Sequence, residues 1–193
     1  MDSRDWDLRY ADRPHPFGVT PNATLAEELE PLAPGTAVDL ACGDGRHAAW
    51  LAGRGWRVDG VDFSPVAITH AHERWGDVGG AVTWVAADAL DWEPDGRYDL
   101  VLVAYLQIEQ LGLALDRART WLTPGGRLVY LGHARENLAY GVGGPRSAAV
   151  LPTVLSLAEA LDSMEVLTLR HVERETADGT AYDVLAVARE FPG

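Results

Sequence analysis

The sequence predicts a doubly wound α/β fold with a seven-stranded, mostly parallel sheet, and three observations lead to it. From residue 37 to 131, strand-like apolar runs alternate with stretches of helical periodicity, as in parallel α/β sheets. Residues 98–104, YDLVLVA, are apolar almost throughout, as expected for a central strand covered on both faces. Two strand-like runs joined by Asp178-Gly179 end the chain. Together these features predict a Rossmann-like sheet with helices on both faces and a C-terminal antiparallel hairpin.

The first half of the chain opens with a helix and then alternates strand and helix. Leu25, Leu29 and Leu32 recur at helical spacing, and Pro34-Gly35 ends that helix. Ser64-Pro65 supplies an N-cap followed by a proline in the first helical turn. The predicted elements are helix 22–32, strand 37–41, helix 46–52, strand 56–61, helix 64–75 and strand 82–86.

The second half continues the alternation and then changes to a hairpin. Pro124-Gly125-Gly126 breaks a predicted helix. Residues 133–150 contain glycines at 141, 143 and 144 and form a long loop, which we interpret as a candidate lid. The predicted elements are strand 98–104, helix 108–122, strand 127–131, helix 152–161 and strands 166–173 and 181–189.

A length of 193 residues fits one domain, because domains average about 150 residues. We predict an N-terminal arm at residues 1–21 and a single domain at residues 22–193. The arm carries Trp6, Tyr10 and Phe17, aromatic residues that a solvated tail rarely keeps together, although no regular element is predicted around them. We expect the arm to cap the active site, with simple packing on the surface as the alternative.

Composition excludes several classes of function. The chain has 16 basic and 29 acidic residues, and a formal net charge of -13 disfavours nucleic acid as a partner. All basic residues are arginine, so Schiff-base chemistry and a P-loop lysine are impossible. Cys42 is the one cysteine, which points to a reducing compartment without disulfides. No signal peptide or apolar stretch of membrane length is recognisable, so a soluble cytoplasmic protein, monomeric or homodimeric, is expected.

Metal ligands are not predicted. His70 and His72 are two residues apart on a predicted helix, so their side chains point to different faces. Although the chain has six histidines, we therefore do not expect a metal site.

A strand that runs into a glycine loop and then a helix, at residues 38–48, marks the predicted ligand site. In open α/β sheets such loops lie at the carboxyl ends of the strands, where ligands bind. Gly43 and Gly45 allow the backbone to approach a ligand closely. Asp62 ends the second strand and can accept hydrogen bonds from both hydroxyls of a ribose, while Asp88, just past the third strand, can accept from an adenine amino group.

The same loop also matches the G-x-G-x-x-A pattern of dinucleotide sites, at residues 43–48. A pyrophosphate there would face the carboxylates of Asp39 and Asp44, whereas such sites use bare amides and a helix dipole. A ligand with an ammonium and a sulfonium has the opposite preference. S-adenosylmethionine is such a ligand, with an amino group for Asp39, a ribose for Asp62 and an adenine for Asp88. The charges therefore favour S-adenosylmethionine over a nicotinamide cofactor.

Five motifs follow one another as they do in class I S-adenosylmethionine-dependent methyltransferases: DLACGDG, VDGVDFS, AADAL, YDLVLVAYLQ and LTPGGRLVYLGH. The chain resembles this family from Asn22 to Arg189. It is most similar to the small bacterial members of the tellurite-resistance and thiopurine types. The shared features are the W-x3-Y start, the PN before the first helix and the loop GWRVxGVDxS. The family commonly has the first glycine of its loop at the position of Ala41. An alanine there should narrow the turn only slightly.

The resemblance implies how the cofactor is held. Asp39 and the loop would line the methionine part, Asp62 the ribose and Phe63 the adenine face. Arg46 either reaches the cofactor carboxylate or is a solvated helix arginine. The implied cofactor-binding residues are Asp39, Ala41, Gly43, Gly45, Arg46, Asp62, Phe63, Asp88, Ala89 and Ala104.

Three residues are candidates for contact with the methyl acceptor. Tyr105 and Gln107 follow the fourth strand, where groups that face the transferred methyl usually lie, and either residue can instead simply pack. His133 follows the fifth strand and is either a general base, a hydrogen-bond donor or a structural residue. We therefore expect methyl transfer from S-adenosylmethionine to a small nucleophile: a thiol, a phenolate, a heterocyclic nitrogen or a soft anion. The alternatives are a nicotinamide-dependent Rossmann oxidoreductase and a non-catalytic sensor that binds the cofactor.

Overall fold

The computed structural model describes residues 3–13 and 15–191, so the predicted arm is described except at positions 1, 2 and 14. Its contacts divide the chain into two compact units, residues 1–98 and 99–193. The first unit contains α1 (Ser3–Asp12), α2 (Ala23–Leu29), β1 (Thr36–Leu40), α3 (Arg46–Ala52), β2 (Arg57–Asp62), α4 (Pro65–Trp75) and β3 (Val82–Ala86). The second continues from β4 (Tyr98–Ala104) with α5 (Leu111–Thr120), β5 (Leu122–His133), α6 (Asn137–Tyr140), a 3₁₀ turn (Ala148–Val150), α7 (Val154–Ala160), β6 (Glu165–Thr176) and β7 (Gly179–Arg189).

The first unit is built on three parallel strands. β2 pairs with β1 on one side and with β3 on the other, and Leu40 and Asp62 both end their strands at the same edge. Asn22 and Ser64 cap α2 and α4 by accepting hydrogen bonds from backbone amides, as the sequence predicts for Ser64. α2 ends at Leu29 instead of 32, because the chain turns before Pro34.

The arm is the main departure from the predicted elements in this unit, because residues 3–12 form a helix. The missed signal is the spacing of Trp6 and Tyr10, which puts both aromatic rings on one helical face. Their ring centroids lie 6.0 Å apart, and Tyr10 is buried. The other residues of α1 are mostly polar, so the sequence lacks the broad apolar stripe of an ordinary amphipathic helix.

The second unit contains the C-terminal antiparallel strands. β7 pairs with β5 and with β6, and Asp178 lies in the turn of the predicted hairpin. The register places His133 of β5 directly opposite Asp183 of β7. β5 starts at Leu122, so the predicted break at Pro124-Gly125-Gly126 lies within the strand, and Gly125 bends it with a φ of 77°.

The predicted loop at residues 133–150 is only partly a loop. It contains α6 and the 3₁₀ turn, and Asn137 holds it together by donating to the carbonyl of Gly143 and accepting from the amide of Tyr182. The buried Asn137 side chain therefore ties α6 to β7, and the segment is more ordered than its glycines indicate.

The strands follow the order β3-β2-β1-β4-β5-β7-β6 in one seven-stranded sheet. This confirms the predicted doubly wound, mostly parallel sheet with its C-terminal antiparallel hairpin. Central strand residues are fully buried in both units, among them Val38, Leu40, Val61, Leu100, Val101, Leu102, Val129, Leu131, Leu185 and Ala186. Within the described residues, every helix falls short of the length and apolar character that a membrane span requires.

Candidate functional site

Asp39, near the end of β1, is a fully buried carboxylate. Its Oδ2 accepts a hydrogen bond of 3.0 Å from the amide of Ala48 in α3, but its Oδ1 has no hydrogen-bond partner within residues 3–13 and 15–191. Burial raises the pKa of Asp39 to about 7, although the Ala48 hydrogen bond acts in the opposite direction. A buried acceptor without a donor favours a ligand that brings one.

Asp62 closes β2 and is held in one orientation by two backbone amides. Its Oδ2 accepts from Gly43 at 2.8 Å, and its Oδ1 accepts from Ser64 at 2.9 Å. Burial raises the pKa of Asp62 to about 6, although both amides lower it. Each carboxylate oxygen keeps a second lone pair, so Asp62 can still accept hydrogen bonds from a diol.

The glycine loop has a backbone that side chains rarely adopt. Ala41 has a φ of 62° and Gly45 a φ of 81°, both in the left-handed region. A Cβ at Gly45 would collide with the indole of Trp84, and a Cβ at Gly43 would collide with the phenol oxygen of Tyr10. Packing within the protein therefore requires glycine at both positions, in addition to any approach of a ligand.

The arm covers the loops that follow β1 and β2. Besides the contact of Tyr10 with Gly43, the Ser3 hydroxyl donates to the carbonyl of Phe63 at 3.2 Å, and the Ser64 hydroxyl lies 2.5 Å from Asp7 Oδ1. Burial raises the pKa of Tyr10 well above its ordinary value, and the charges of Asp62 and Asp44 act in the same direction. The phenol therefore stays neutral above the acidic loops.

Two further contacts connect the arm with charged residues of the loop. His15 Nδ1 lies 2.6 Å from the buried carboxylate of Asp44, and Arg46 Nη1 lies 2.5 Å from the carbonyl oxygen of Phe17. Asp44 thus faces the arm, whereas the sequence argument treated it as facing the ligand. Arg46 is partly exposed and is engaged by the arm through this contact.

The remaining candidates of the cofactor site differ in exposure. Asp88, after β3, is exposed, and its Oδ1 accepts from the amide of Leu90 at 2.8 Å. Ala89 is buried beside it, and Phe63 is partly buried after β2. Ala104 ends β4 and is also buried.

In the second unit, Tyr105 and His133 lie together. Their ring centroids are 5.3 Å apart in an edge-to-face arrangement. Tyr105 directly follows β4 with a φ of 59°, and its amide donates to the carbonyl of Leu131 at 2.7 Å. Gln107 is partly buried, and its Nε2 has no hydrogen-bond partner in the described part of the chain.

Asp183 connects these side chains and was not among the residues predicted from sequence. The Tyr105 hydroxyl donates to its Oδ2 at 2.7 Å, and Arg174 Nε donates to the same oxygen at 2.8 Å. Its Oδ1 lies 2.9 Å from His133 Nδ1. Burial alone would raise the pKa of Asp183, but the close imidazole of His133 and the hydrogen bonds from Arg174 and Tyr105 lower it below its ordinary value.

The signal for Asp183 is present in the sequence. A single acid interrupts the apolar strand AYDVLAVA, and a buried charge in a strand requires a partner. Its partners follow only from the register of β5, β6 and β7, which the sequence does not specify. We name the side chains of Tyr105, His133, Arg174 and Asp183 the β5–β7 cluster.

The first unit fits S-adenosylmethionine by the chemistry of its residues. Asp39 offers an unpartnered buried oxygen to an ammonium, and Asp62 is a fixed acceptor for a ribose diol. Buried carboxylates and a neutral phenol surround the loop, so a phosphate is disfavoured there.

Comparisons with known proteins agree with this chemistry. A family model described as a methyltransferase domain matches residues 37–126. The chain is 35% identical over 139 residues to a trans-aconitate 2-methyltransferase from Streptomyces avermitilis, in a match that covers 65% of this chain and 49% of that protein. The chain thus spans about half the length of this curated relative.

Solved structures share the fold at low sequence identity. The N-methyltransferase NodS from Bradyrhizobium japonicum WM9, in complex with S-adenosylhomocysteine, has a TM-score of 0.74 at 20% identity, over 98% of this chain and 99% of that one. TehB from Haemophilus influenzae has a TM-score of 0.75 at 15% identity, over 96% of this chain and 67% of that one. These structures show that the chain shares its fold with S-adenosylmethionine-dependent methyltransferases, and the family model and the relative show that it is similar in sequence to methyltransferases.

Proposed function

We propose that the protein transfers the methyl group of S-adenosylmethionine to a small-molecule nucleophile. The observation that carries this proposal is the fully buried Asp39, whose Oδ1 has no donor in the described residues. A cation with N–H donors satisfies that oxygen, and the ammonium of the cofactor's methionine part is such a group. A nicotinamide dinucleotide brings phosphates instead.

The other residues of the first unit then have defined roles. Asp62 accepts from the ribose hydroxyls, Phe63 lies against the adenine, and Asp88 and Ala89 read the adenine edge. Ala41, Gly43 and Gly45 shape the loop along the methionine part, with Ala104 at the end of β4. Since Arg46 already contacts the arm carbonyl of Phe17, its role is to fix the arm.

The cofactor supplies an electrophilic methyl group on a sulfonium. The protein supplies orientation and exclusion of water, which suffice for much of the rate when an anionic nucleophile cancels the sulfonium charge. We assign His133, Tyr105 and Gln107 to the acceptor. The Streptomyces relative is a trans-aconitate 2-methyltransferase, which supports a small molecule as the acceptor class here.

The arm is proposed as a lid. Its contacts go to the loops after β1 and β2, at Gly43, Asp44, Phe63 and Ser64, which are the segments assigned to the cofactor. Deletion of residues 1–17 should leave a folded protein that binds cofactor but transfers methyl poorly. Full turnover by the truncated protein would mean that the arm only packs on the surface and is not a lid.

Calorimetric titration tests the cofactor assignment. We expect S-adenosylhomocysteine and S-adenosylmethionine to bind, and millimolar NAD or ATP to compete with neither. Asp62→Ala should weaken S-adenosylhomocysteine binding at least about tenfold, since a charge-assisted hydrogen bond contributes roughly 1.5–3 kcal/mol. Asp116→Ala is the matched control, because it removes an equal charge from an exposed side chain of α5.

Turnover separates an enzyme from a sensor. The protein is incubated with S-adenosylmethionine and with phenol, thiophenol, imidazole or tellurite, and S-adenosylhomocysteine is quantified. Product above the no-acceptor rate supports the proposal. Cofactor binding without turnover of a broad acceptor panel would favour a sensor, and tight NAD binding would favour an oxidoreductase.

A further inference from the structure

We propose that Asp183 and Arg174 are positioning residues that make His133 a general base, so that the acceptor is a nucleophile that loses a proton on methylation. This inference rests on the proposed methyl transfer and narrows its acceptor to O–H, N–H or S–H compounds. It arises from the β5–β7 cluster, whose partners become visible only in the register of the strands.

The first step concerns the tautomer of His133. Its Nδ1 lies 2.9 Å from Asp183 Oδ1, and at that distance a nitrogen lone pair would repel the carboxylate. The Nδ1 therefore carries the proton, and Nε2 keeps its lone pair. The contact is short but poorly aligned for a linear hydrogen bond, and such bonds at catalytic groups often align only when all reacting groups are in place.

The second step concerns Asp183 itself. Its Oδ2 accepts from the Tyr105 hydroxyl and from Arg174 Nε, so the carboxylate cannot rotate without breaking two hydrogen bonds. Its buried charge is compensated by the guanidinium of Arg174, which also lies over the Tyr105 ring. The side chains of Asp183, Tyr105 and Arg174 thus fix the direction in which the His133 imidazole faces.

The third step concerns access to Nε2. A Cβ placed at Gly144 would lie 3.0 Å from Nε2 and 2.6 Å from Cδ2 of His133. Glycine at this position therefore lets the backbone of residue 144 lie against the Nε2 edge of the imidazole, where any side chain would overlap it. The His133 side chain retains 12% of its exposure, which suits a base that a small acceptor must reach.

The reaction then balances as follows. A lone pair of the acceptor atom forms the bond to the methyl carbon, and the carbon–sulfur bond breaks with its electron pair moving to sulfur. The proton of the acceptor passes to His133 Nε2. The resulting imidazolium is stabilised by Asp183 and releases its proton to water.

Asp183→Asn provides a sharp test. The hydrogen bonds from Arg174 and Tyr105 select the amide oxygen at the Oδ2 position, which turns the amide NH₂ toward His133 Nδ1. An NH₂ group at that place requires a lone pair on Nδ1 and moves the proton to Nε2. The variant keeps the shape of the side chain but blocks the base. Glu165→Gln is the matched control, because Glu165 also pairs with an arginine of the hairpin, Arg189, without contacting a histidine.

The tautomer is read by ¹⁵N NMR of histidine-labelled protein at pH 8, with the His133 signals assigned from His133→Gln. We expect an Nδ1–H imidazole in the wild type and in Glu165→Gln, and an Nε2–H imidazole in Asp183→Asn. An Nε2–H tautomer in the wild type, or the same tautomer in both wild type and Asp183→Asn, would overturn the proposal.

Turnover gives the second readout, with calorimetry as its control. Asp183→Asn should slow methylation of phenol or imidazole by about 10²-fold or more, leave tellurite unchanged and leave S-adenosylhomocysteine affinity unchanged. An equal loss with every acceptor, or no loss, contradicts the role of a base. Absence of cofactor binding in the wild type would instead overturn the proposed function, and the NMR result would still decide the role of Asp183.

Discussion

The phenol of Tyr10 lies so close to Gly43 that a single added methyl group at residue 43 would collide with the phenol oxygen. Tyr10 retains only 4% of its exposure, whereas Leu8 on the same helix is 64% exposed. Tyr10 therefore contributes far more apolar burial than Leu8 to the docking of α1 onto the glycine loop.

Tyr10→Ala should release the arm without unfolding the rest of the protein. Burial of a side chain of this size stabilises by roughly 2 kcal/mol, which corresponds to about 30-fold faster hydrogen exchange of the α1 amides. Exchange in β1 and β2 should stay as in the wild type. Leu8→Ala is the control and should leave exchange in α1 almost unchanged. Equal effects of the two substitutions would show that Tyr10 does not anchor the arm.

Asp39→Asn should stabilise the protein at pH 8 and have little effect near pH 4. Folded Asp39 keeps its proton up to about pH 7, whereas the unfolded chain releases it near its ordinary value of 3.8. The folded state therefore binds more protons between these values, and the free energy of unfolding falls as the pH rises through that window. Asparagine does not titrate, so the variant lacks this loss, which is on the order of 4 kcal/mol at pH 8.

Urea denaturation at several pH values measures this difference. Asp62, with a pKa raised to about 6 by burial, acts in the same direction, and His47, with a pKa lowered to about 3 by burial, acts in the opposite one. Both groups are present in both proteins, so subtraction isolates Asp39. A difference that does not change with pH would mean that Asp39 is ionised in the folded protein throughout.

Ala41→Gly should stabilise the protein by about 0.5–1 kcal/mol. Ala41 has a φ of 62°, where a Cβ is strained by roughly 1–2 kcal/mol, and part of the gain is offset by the greater freedom of glycine in the unfolded chain. Ala49→Gly, in the middle of α3, is the matched control and should cost about 1 kcal/mol. Chemical denaturation should thus show a higher free energy of unfolding for Ala41→Gly and a lower one for Ala49→Gly. Destabilisation at both positions would contradict the assigned strain.

Sequence periodicity predicted the core of the fold because each buried strand has its own local signature. α3, β3 and β4 begin and end where the pattern of apolar residues places them. α1 was missed because Trp6 and Tyr10 are the main local mark of its apolar face, and the loop that buries Tyr10 is distant in sequence. The β5–β7 cluster was only partly predicted, because the pairing of His133 with Asp183 depends on the register of β5 and β7. The two residues are separated by 49 residues in the sequence, and no local signal reports how that distance is closed.

The glycines of the loop after β1 allow a test of whether packing within the protein or binding of the ligand requires glycine there. Gly45 has a φ of 81°, and a Cβ there would overlap the indole of Trp84 and approach Ala71. The indole cannot easily withdraw, because its Nε1 donates to the carbonyl of Gly76 at 2.6 Å. Gly125 has a similar φ of 77°, but open space surrounds the position of its Cβ. The two glycines therefore share a left-handed backbone conformation and differ in packing.

Gly45→Ala should destabilise the protein by about 1–3 kcal/mol more than Gly125→Ala, because both variants strain the backbone but only the first overpacks the core. Urea denaturation without added cofactor measures the difference, and calorimetry with S-adenosylhomocysteine is the companion experiment on any variant that folds. If both variants lost the same stability while Gly45→Ala alone lost cofactor affinity, glycine would be required at residue 45 by the ligand and not by Trp84. Because a Cβ at residue 45 would overlap the hydrogen-bonded indole of Trp84, we expect the opposite result: Gly45→Ala should lose more stability than Gly125→Ala before any ligand is added.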